Sequence, residues 1–181
     1  MKIALLGAES TGKTALAQAL LAHGQLCQRQ VLWVPEYLRE WCDAAGRTPL
    51  AHEQALIAQT QAERALAAPT CDWLLVDTTP LMTAVYSDLL FADRSLYESA
   101  LAHQTHYDLT LLMGLDLPWV ADGLQRDGPQ VRLPVDTRLR HALLGAGIRF
   151  SVIYGWGADR SQAALRAMDH CHGARPTLTA G

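Results

Sequence analysis

Short apolar runs alternate with longer amphipathic segments along the chain, and this alternation predicts strands connected by helices. The apolar runs predict five strands, at residues 2–6, 31–34, 73–77, 108–113 and 148–154. Apolar residues at helical spacing predict helices at residues 13–23, 37–45, 50–68, 80–91, 93–105, 134–144 and 159–172. Strands and helices that alternate in this way are typical of a three-layer α/β domain with a mostly parallel sheet.

The length of the chain, 181 residues, indicates one domain with a sizeable core. We predict that this domain spans residues 1–172, because we see neither an internal repeat nor a linker in the sequence. Residues 116–134 form a polar stretch that contains Gly and Pro, and we predict a lid-like loop there. Residues 173–181 are predicted to form a flexible tail.

The turn after the first predicted strand matches G-x-x-x-x-G-K-[ST], the phosphate-binding P-loop. Its two glycines let several backbone N–H groups point at one spot, and the helix that follows adds its positive dipole end. Lys13 is one of only two lysines in the chain, against 13 arginines, and it stands where the motif requires a compact ammonium group. The motif predicts binding of ATP with Mg²⁺. The residues predicted to bind the nucleotide are Gly7, Glu9, Ser10, Thr11, Gly12, Lys13 and Thr14.

Composition excludes several classes of function. The chain is 50% hydrophobic and 18% charged, which is typical of a globular protein. Its net charge of -3 indicates no broad basic face for nucleic acid, and no apolar run is long enough to span a membrane. The four cysteines form no CxxC pair, which favours a reducing cytoplasm as the location.

Three acidic residues, Glu36, Asp77 and Asp116, stand at predicted strand ends, and such ends meet at the ligand-binding edge of a parallel sheet. Asp77 ends its strand as a Walker-B aspartate does, so we expect Asp77 and the Thr14 hydroxyl to hold Mg²⁺. Asp77 could also cap the next helix, and the two roles are compatible. Glu36 is a candidate general base for an acceptor hydroxyl; its alternative role is a favourable charge at a helix N-terminus.

Arginine and tryptophan side chains near the same edge are candidates for contacts with phosphates or with a flat ring. Arg39 lies one turn into the second predicted helix and could pair with a carboxylate or with a phosphate. Arg126 and Arg132 in the lid-like loop, together with Arg138, could stabilise the transferred phosphate or be solvated charges. Trp119 could stack on a base or a pyridine ring, or be buried under the loop.

Five segments of the sequence, in order and at matching spacing, resemble one known family. They are residues 7–14, 36–40 (Glu-Tyr-Leu-Arg-Glu), 76–78 (Val-Asp-Thr), 107–109 (Tyr-Asp-Leu) and 119–124 (Trp-Val-Ala-Asp-Gly-Leu). Together they resemble the ribosylnicotinamide kinase domain of the bifunctional bacterial NAD-biosynthesis regulators. The resemblance extends from residue 3 to about residue 155, and it implies a P-loop NTPase fold of the nucleoside and nucleotide kinase type.

This resemblance implies an ATP-dependent phosphotransferase that phosphorylates nicotinamide riboside at its 5′-hydroxyl and forms nicotinamide mononucleotide. ATP and Mg²⁺ are the implied cofactors, and the implied partner is the small nucleoside substrate. The resemblance assigns phosphate and Mg²⁺ binding to Gly12, Lys13 and Thr14, and metal binding also to Asp77. The resemblance puts Glu36 and Asp77 in the acceptor and metal region, and Trp119 and Asp122 near the nucleoside. With the candidates above, the residues predicted for catalysis are Lys13, Glu36, Asp77, Arg126 and Arg132. Those predicted for substrate binding are Glu36, Tyr37, Arg39, Asp77, Trp119 and Asp122.

Two features depart from the family pattern. The family often shows Asp-Asp-Gly-Leu-Arg where residues 121–125 of this chain read Ala-Asp-Gly-Leu-Gln, with Arg126 one place later. The adenylyltransferase and DNA-binding parts of the larger relatives do not appear in the sequence, so we expect a stand-alone kinase.

Other functions stay open on the sequence alone. The chain could be a kinase for another nucleoside or nucleotide, because specificity depends on a few contacts that a sequence does not display. It could also be a regulatory P-loop ATPase that acts through a protein partner. A guanine-specific GTPase is disfavoured, because its base-reading motif needs Asn and the chain contains none.

Overall fold

The structure is a computed structural model, and it describes residues 1–121 and 128–173, without the side chain of residue 172. The strands in this part of the chain are β1 (Lys2–Leu6), β2 (Val31–Val34), β3 (Trp73–Asp77), β4 (Leu109–Met113) and β5 (Ser151–Ile153). The helices are α1 (Lys13–Leu26), α2 (Tyr37–Ala45), α3 (Gln54–Leu66), α4 (Pro80–Phe91), α5 (Tyr97–Gln104), α6 (Arg132–Gly145) and α7 (Gly157–Gly173).

The five strands form one sheet in the order β2-β3-β1-β4-β5, and every neighbouring pair is parallel. β1 lies at the centre, and its residues 3–6 are completely buried. Full burial explains why the strand reads as a continuous apolar run, because helices cover both faces of a parallel sheet. The predicted α/β fold with five parallel strands is confirmed.

The two faces of the sheet carry separate hydrophobic cores. Ile3 and Leu5 of β1 pack with α1 and α7 on one face, where Leu20 and Met168 are buried beside them. Leu6 points to the other face and packs with residues of α4, α5 and α6. The carboxyl end of β1 is therefore anchored from both sides, and the P-loop leaves the sheet from a rigid base.

Some helix ends differ from the prediction. α1 continues past His23 to Leu26, because Gly24 lies against Val31 and leaves room for it rather than ending the helix. The segment predicted as a helix from residue 50 begins with a 3₁₀ turn and becomes α3 only at Gln54.

Three further boundaries were also placed wrongly. α5 begins at Tyr97, because the Asp93 carboxylate accepts the Ser95 N–H and holds a turn before it. α6 begins two residues before Pro134, which lies in its first turn, where a backbone N–H is not needed. The last strand is reduced to β5, three residues long.

No helix in the described ranges is both long and apolar enough to cross a bilayer. The predicted tail at 174–181 and part of the lid-like loop, 122–127, lie outside the described residues. The single-domain boundary at residue 172 and the cytoplasmic location stay predictions.

Candidate active site

The loop between β1 and α1 turns back over the end of β1, as a P-loop does. Gly7 (φ 149°) and Gly12 (φ 78°) have backbone angles that favour glycine. A Cβ at Gly7 would lie 2.9 Å from Met113 Cβ, so this position also lacks room for a side chain. The buried Thr11 hydroxyl donates to the Ala8 carbonyl over 2.7 Å and closes the turn. The two glycines of the motif are thus explained by the shape of the loop.

Lys13 is the first residue of α1 and lies across the loop. Its Nζ donates to the Gly7 carbonyl over 2.9 Å and to the Ala8 carbonyl over 3.1 Å. The ammonium therefore stands at the positive end of the α1 dipole, where the charge and the dipole both favour an anion. This is the position that the sequence predicted for Lys13.

The Thr14 hydroxyl donates to Asp77 Oδ2 over 2.6 Å, which joins the start of α1 to the end of β3. Asp77 is 1% exposed, and its Oδ1 is buried with no hydrogen-bond partner among the described residues. A buried carboxylate oxygen with no donor fits a divalent cation, so these residues suit Mg²⁺. The described part of the chain holds no cluster of three His, Cys, Asp or Glu side chains that could bind a metal. Two protein oxygens still fit Mg²⁺, because it usually keeps waters and substrate phosphates as its other ligands.

Thr78 follows Asp77 directly and has a left-handed backbone (φ 67°), which is rare for a β-branched residue. Its N–H donates to the Leu5 carbonyl over 3.1 Å, and it lines the cavity described below. Such a backbone costs about 1–3 kcal/mol and persists mainly where function or surrounding structure requires it. Here it turns the chain sharply at the end of β3, which leaves Asp77 facing Thr14.

Arg160 of α7 is an important residue of this region that the sequence did not reveal. It is 4% exposed, and its Nη1 donates to the Thr11 carbonyl over 2.7 Å. Its Nε donates to the Gly155 carbonyl over 2.9 Å, and its Nη2 to Asp116 Oδ1 over 2.6 Å. Arg160 therefore fastens the P-loop to the segments that follow β4 and β5. Asp116, predicted at this edge of the sheet, lies there as the partner of Arg160.

The pKa of Asp116 reflects this pairing. Burial works to raise it, but hydrogen bonds from Arg160 and from the Gly155 N–H outweigh burial and hold the pKa below its usual range. A carboxylate with a lowered pKa stabilises the fold above its ordinary pKa of about 3.9, and this contribution disappears as the pH falls through the lower, folded value.

We therefore expect Asp116→Asn to lower the free energy of unfolding by about 1.5 kcal/mol at neutral pH, because Asn keeps an acceptor oxygen but loses the charge. Thermal melts between pH 7 and pH 3 should show a Tm difference from the wild type that shrinks below about pH 4. Asp43→Asn on the exposed side of α2 serves as the control. A difference that is equally large at every pH would contradict this role of the Asp116 charge.

One cavity of about 1110 Å³ joins the P-loop to α2, α3 and α4. At one end its wall is the P-loop with Leu117, and at the other it includes Ile57 and Met82. This volume is at the upper end for small-ligand sites and can hold two small molecules next to each other. The predicted site residues on its wall are Glu9, Ser10, Thr11, Gly12, Lys13, Thr14, Glu36 and Arg39.

The structure does not bring every predicted residue to this cavity. Tyr37 lies away from its wall, with its ring 4.4 Å from the Arg64 guanidinium. Trp119 is half-buried and also lies off the wall, although its neighbours Pro118 and Val120 line the cavity. Neither side chain is therefore placed on the wall by the described structure, and their roles in binding stay predictions.

The predicted lid arginines differ in position. Arg138 pairs with Asp88 at 3.2 Å and does not line the cavity. Arg132, the first residue of α6, is buried, and its Nε and Nη2 have no hydrogen-bond partner among the described residues. It does not line the cavity wall. Arg126 and Asp122 lie outside the described residues.

Comparison with protein families agrees with this geometry. A family model described as an AAA domain matches residues 2–160. Among curated protein sequences, none is similar enough to the chain to count as a relative.

Several solved structures share the fold. A NadR protein in complex with NAD and AMP-PNP matches with a TM-score of 0.74 and 18% sequence identity, over 99% of this chain and 51% of that one. A NadR protein in complex with NR matches with a TM-score of 0.75 and 17% identity, over 99% of this chain and 52% of that one. The chain thus spans about half the length of these two relatives.

A thymidylate kinase from Ehrlichia chaffeensis matches with a TM-score of 0.65 and 15% identity, over 94% of this chain and 97% of that one. These matches establish the fold of P-loop kinases for the chain. The resemblance predicted from five sequence segments is confirmed at the level of the family and the fold.

Proposed function

The chain belongs to the AAA domain family of P-loop proteins, and on this premise we propose that it transfers the γ-phosphate of ATP to the 5′-hydroxyl of nicotinamide riboside. The product would be nicotinamide mononucleotide. The observation that supports the proposal is one cavity that is lined both by P-loop residues and by Glu36. Such a cavity can hold the phosphate donor and the hydroxyl acceptor next to each other, so neither has to move to another site for the transfer.

The donor end of the cavity is suited to the triphosphate of ATP. The N–H groups of the loop and the N-terminus of α1 provide partial positive charge, and Lys13 adds a full charge. Mg²⁺, held by Thr14 and Asp77, would neutralise charge that develops on the phosphates. Arg160 keeps the loop in place through the Thr11 carbonyl, so the donors are oriented before the substrate arrives.

The acceptor end begins at Glu36, which precedes α2 and lines the cavity. Because it lies on the wall of the cavity, its carboxylate could accept the proton of the 5′-hydroxyl as the phosphate is transferred. The exposed Arg39 also reaches the cavity wall and is the described arginine best placed to meet a phosphate there. Arg132 stays a candidate because two nitrogens of its buried guanidinium have no acceptor among the described residues, which suits an anion.

The test is the release of ADP from MgATP with nicotinamide riboside, adenosine, uridine, thymidine or no acceptor. We expect strong stimulation by nicotinamide riboside and formation of the mononucleotide. Stimulation by another nucleoside instead would favour the second candidate, a kinase for a different nucleoside or nucleotide. The match in fold to a thymidylate kinase supports this candidate. Slow hydrolysis that no acceptor changes would contradict both and favour a regulatory ATPase.

Glu36→Gln is expected to lower kcat by about 10²-fold and to leave the KM for ATP nearly unchanged. We choose the low end of general-base effects, because the transition state of phosphoryl transfer is loose and the proton leaves late. The matched control is Glu40→Gln, one turn later on α2, where the carboxylate is exposed and pairs with Arg64 at 2.7 Å. Steady-state kinetics of both variants measure the difference. Near-normal turnover in Glu36→Gln would remove Glu36 as the base.

A further inference from the structure

Three glutamines in the described ranges are almost fully buried, and two of them form hydrogen bonds through both ends of the amide. Gln61 accepts a backbone N–H over 2.7 Å and donates to a carbonyl over 3.4 Å. Gln104 accepts a hydroxyl over 2.6 Å and donates to another over 3.0 Å. Their partners are Tyr37 and Pro35 for Gln61, and Thr79 and Thr110 for Gln104. Both amides follow the rule that buried polar groups are hydrogen-bonded.

Gln54 does not follow this rule. It is the first residue of α3 and is 3% exposed, yet its side-chain amide makes no hydrogen bond to any described residue. Gln54 also lines the cavity. The amide is therefore open to the inside of the cavity, and a polar group that enters the cavity can become its hydrogen-bond partner.

The residues around Gln54 indicate the chemistry of this partner. Ile57, one turn later on α3, and Met82 and Cys42 give this end of the cavity an apolar lining. Burial raises the pKa of the Cys42 thiol to about 11, so it stays neutral and acts as a small apolar group. Thr83 of α4 is also buried on this wall, with no hydrogen bond to a described residue. An apolar wall with a few polar groups is typical of a site for a flat ring with polar substituents.

We infer that Gln54 determines the specificity for the acceptor by pairing its amide with a polar group on the acceptor's ring. The Oε1 atom accepts a hydrogen bond and Nε2 donates one, so the amide matches a group that carries a donor and an acceptor side by side. This inference rests on the proposed function. The carboxamide of nicotinamide is such a group, and it can form two parallel hydrogen bonds with the glutamine amide.

The alternative is that Gln54 only contributes to packing at the start of α3, and stability separates the two roles. Replacing a structural amide with Leu removes hydrogen bonds and destabilises the fold, as we expect for Gln104→Leu, which lies off the cavity wall. Gln54→Leu instead replaces an unpaired polar group with an apolar one of similar size, so Tm should stay the same or rise. If Gln54→Leu is stable but binds the acceptor less well, the Gln54 amide serves ligand binding rather than packing.

The experiment compares the wild type, Gln54→Leu and Gln104→Leu with two acceptors, nicotinamide riboside and pyridine riboside, which lacks the carboxamide. For the wild type we expect the KM for pyridine riboside to be about 10–100-fold higher than that for nicotinamide riboside. Gln54→Leu should raise the KM for nicotinamide riboside by a similar factor, without changing the KM for ATP. The two acceptors should then have similar KM values, whereas Gln104→Leu should keep the difference and lower Tm.

The outcomes separate this inference from the proposed function. If the wild type phosphorylates nicotinamide riboside and Gln54→Leu still discriminates between the two acceptors, the assignment of Gln54 is wrong and the proposed function stands. If the wild type phosphorylates another nucleoside and Gln54→Leu raises the KM for that nucleoside, the proposed substrate is wrong. The assignment of Gln54 to the ring of the acceptor then stands. An unchanged KM there would overturn the assignment. A wild type that no nucleoside activates would overturn both.

Discussion

Lys13→Ala is expected to reduce kcat for phosphate transfer by about 10³-fold or more, the upper end of what one preorganised donor contributes. In the structure, Lys13 Nζ donates hydrogen bonds to two carbonyls of its own loop, at 2.9 and 3.1 Å. These bonds keep the ammonium at the N-terminus of α1. When phosphates enter the loop, the same ammonium can donate to their oxygens. No other described lysine is near the loop, since Lys2 lies at the opposite end of β1.

The control for this variant is Lys2→Ala, which removes the only other lysine of the chain. Lys2 is exposed at the start of β1, so its loss should leave kcat unchanged. Lys13→Arg should be nearly as inactive as Lys13→Ala, because a planar guanidinium does not fit where a compact ammonium does. ADP release and circular dichroism measure activity and folding for each variant. Release from Lys13→Ala within tenfold of the wild type would end the P-loop interpretation of the site.

Strand positions were the most predictable part of the fold. β1, β2 and β3 begin and end as predicted. β1 and β3 are buried along most of their length, and a strand buried on both faces must be apolar. β2 is a half-buried edge strand, and its apolar run still gave the right bounds. β5 was predicted too long, because Ile148 and Phe150 also pack in the core although they precede the strand. At these two positions the apolar residues correctly predicted burial, but they did not predict backbone pairing with a neighbouring strand.

Within the site, the residues next to each other in sequence were predictable and those joined by folding were not. The P-loop is a local motif, so its spacing alone placed Lys13 and Thr14. Arg160 and Thr11 are 149 residues apart in the sequence, and no local sequence pattern predicts their contact. Its only sequence signal is an arginine soon after the glycines at 155 and 157, where a strand gives way to a helix.

Gln54 was missed for a different reason. In the sequence it stands near the start of an amphipathic helix, where a glutamine is ordinarily solvated. Its burial arises only when α3 packs against α4, and its amide then has no hydrogen-bond partner among the described residues. For Tyr37, the motif around it suggested a contact with substrate; the structure places its ring against Arg64, and the contact with substrate stays a prediction.

Asp77→Asn is expected to lower kcat by about 10³-fold, because Mg²⁺ contributes several kcal/mol to stabilising the charge of the transition state. Asn can still accept the hydrogen bond of the Thr14 hydroxyl, which is 2.6 Å long in the wild type, so the geometry should be retained. What it loses is the negative charge at Oδ1, the buried oxygen that has no partner among the described residues. The expected defect is therefore one of metal binding rather than of folding.

Two measurements test this interpretation. The Mg²⁺ concentration that gives half-maximal ADP release should rise strongly in Asp77→Asn, and the increase of Tm on adding MgATP should be smaller than in the wild type. Without ligands, the variant should be at least as stable as the wild type, because it no longer buries an uncompensated charge. Asp72→Asn, the same change just before the other end of β3, is the control and should leave both Mg²⁺ responses unchanged. An Asp77→Asn enzyme with a normal Mg²⁺ requirement would show that the cation is held elsewhere, and Thr14 and Asp77 would then be a structural pair.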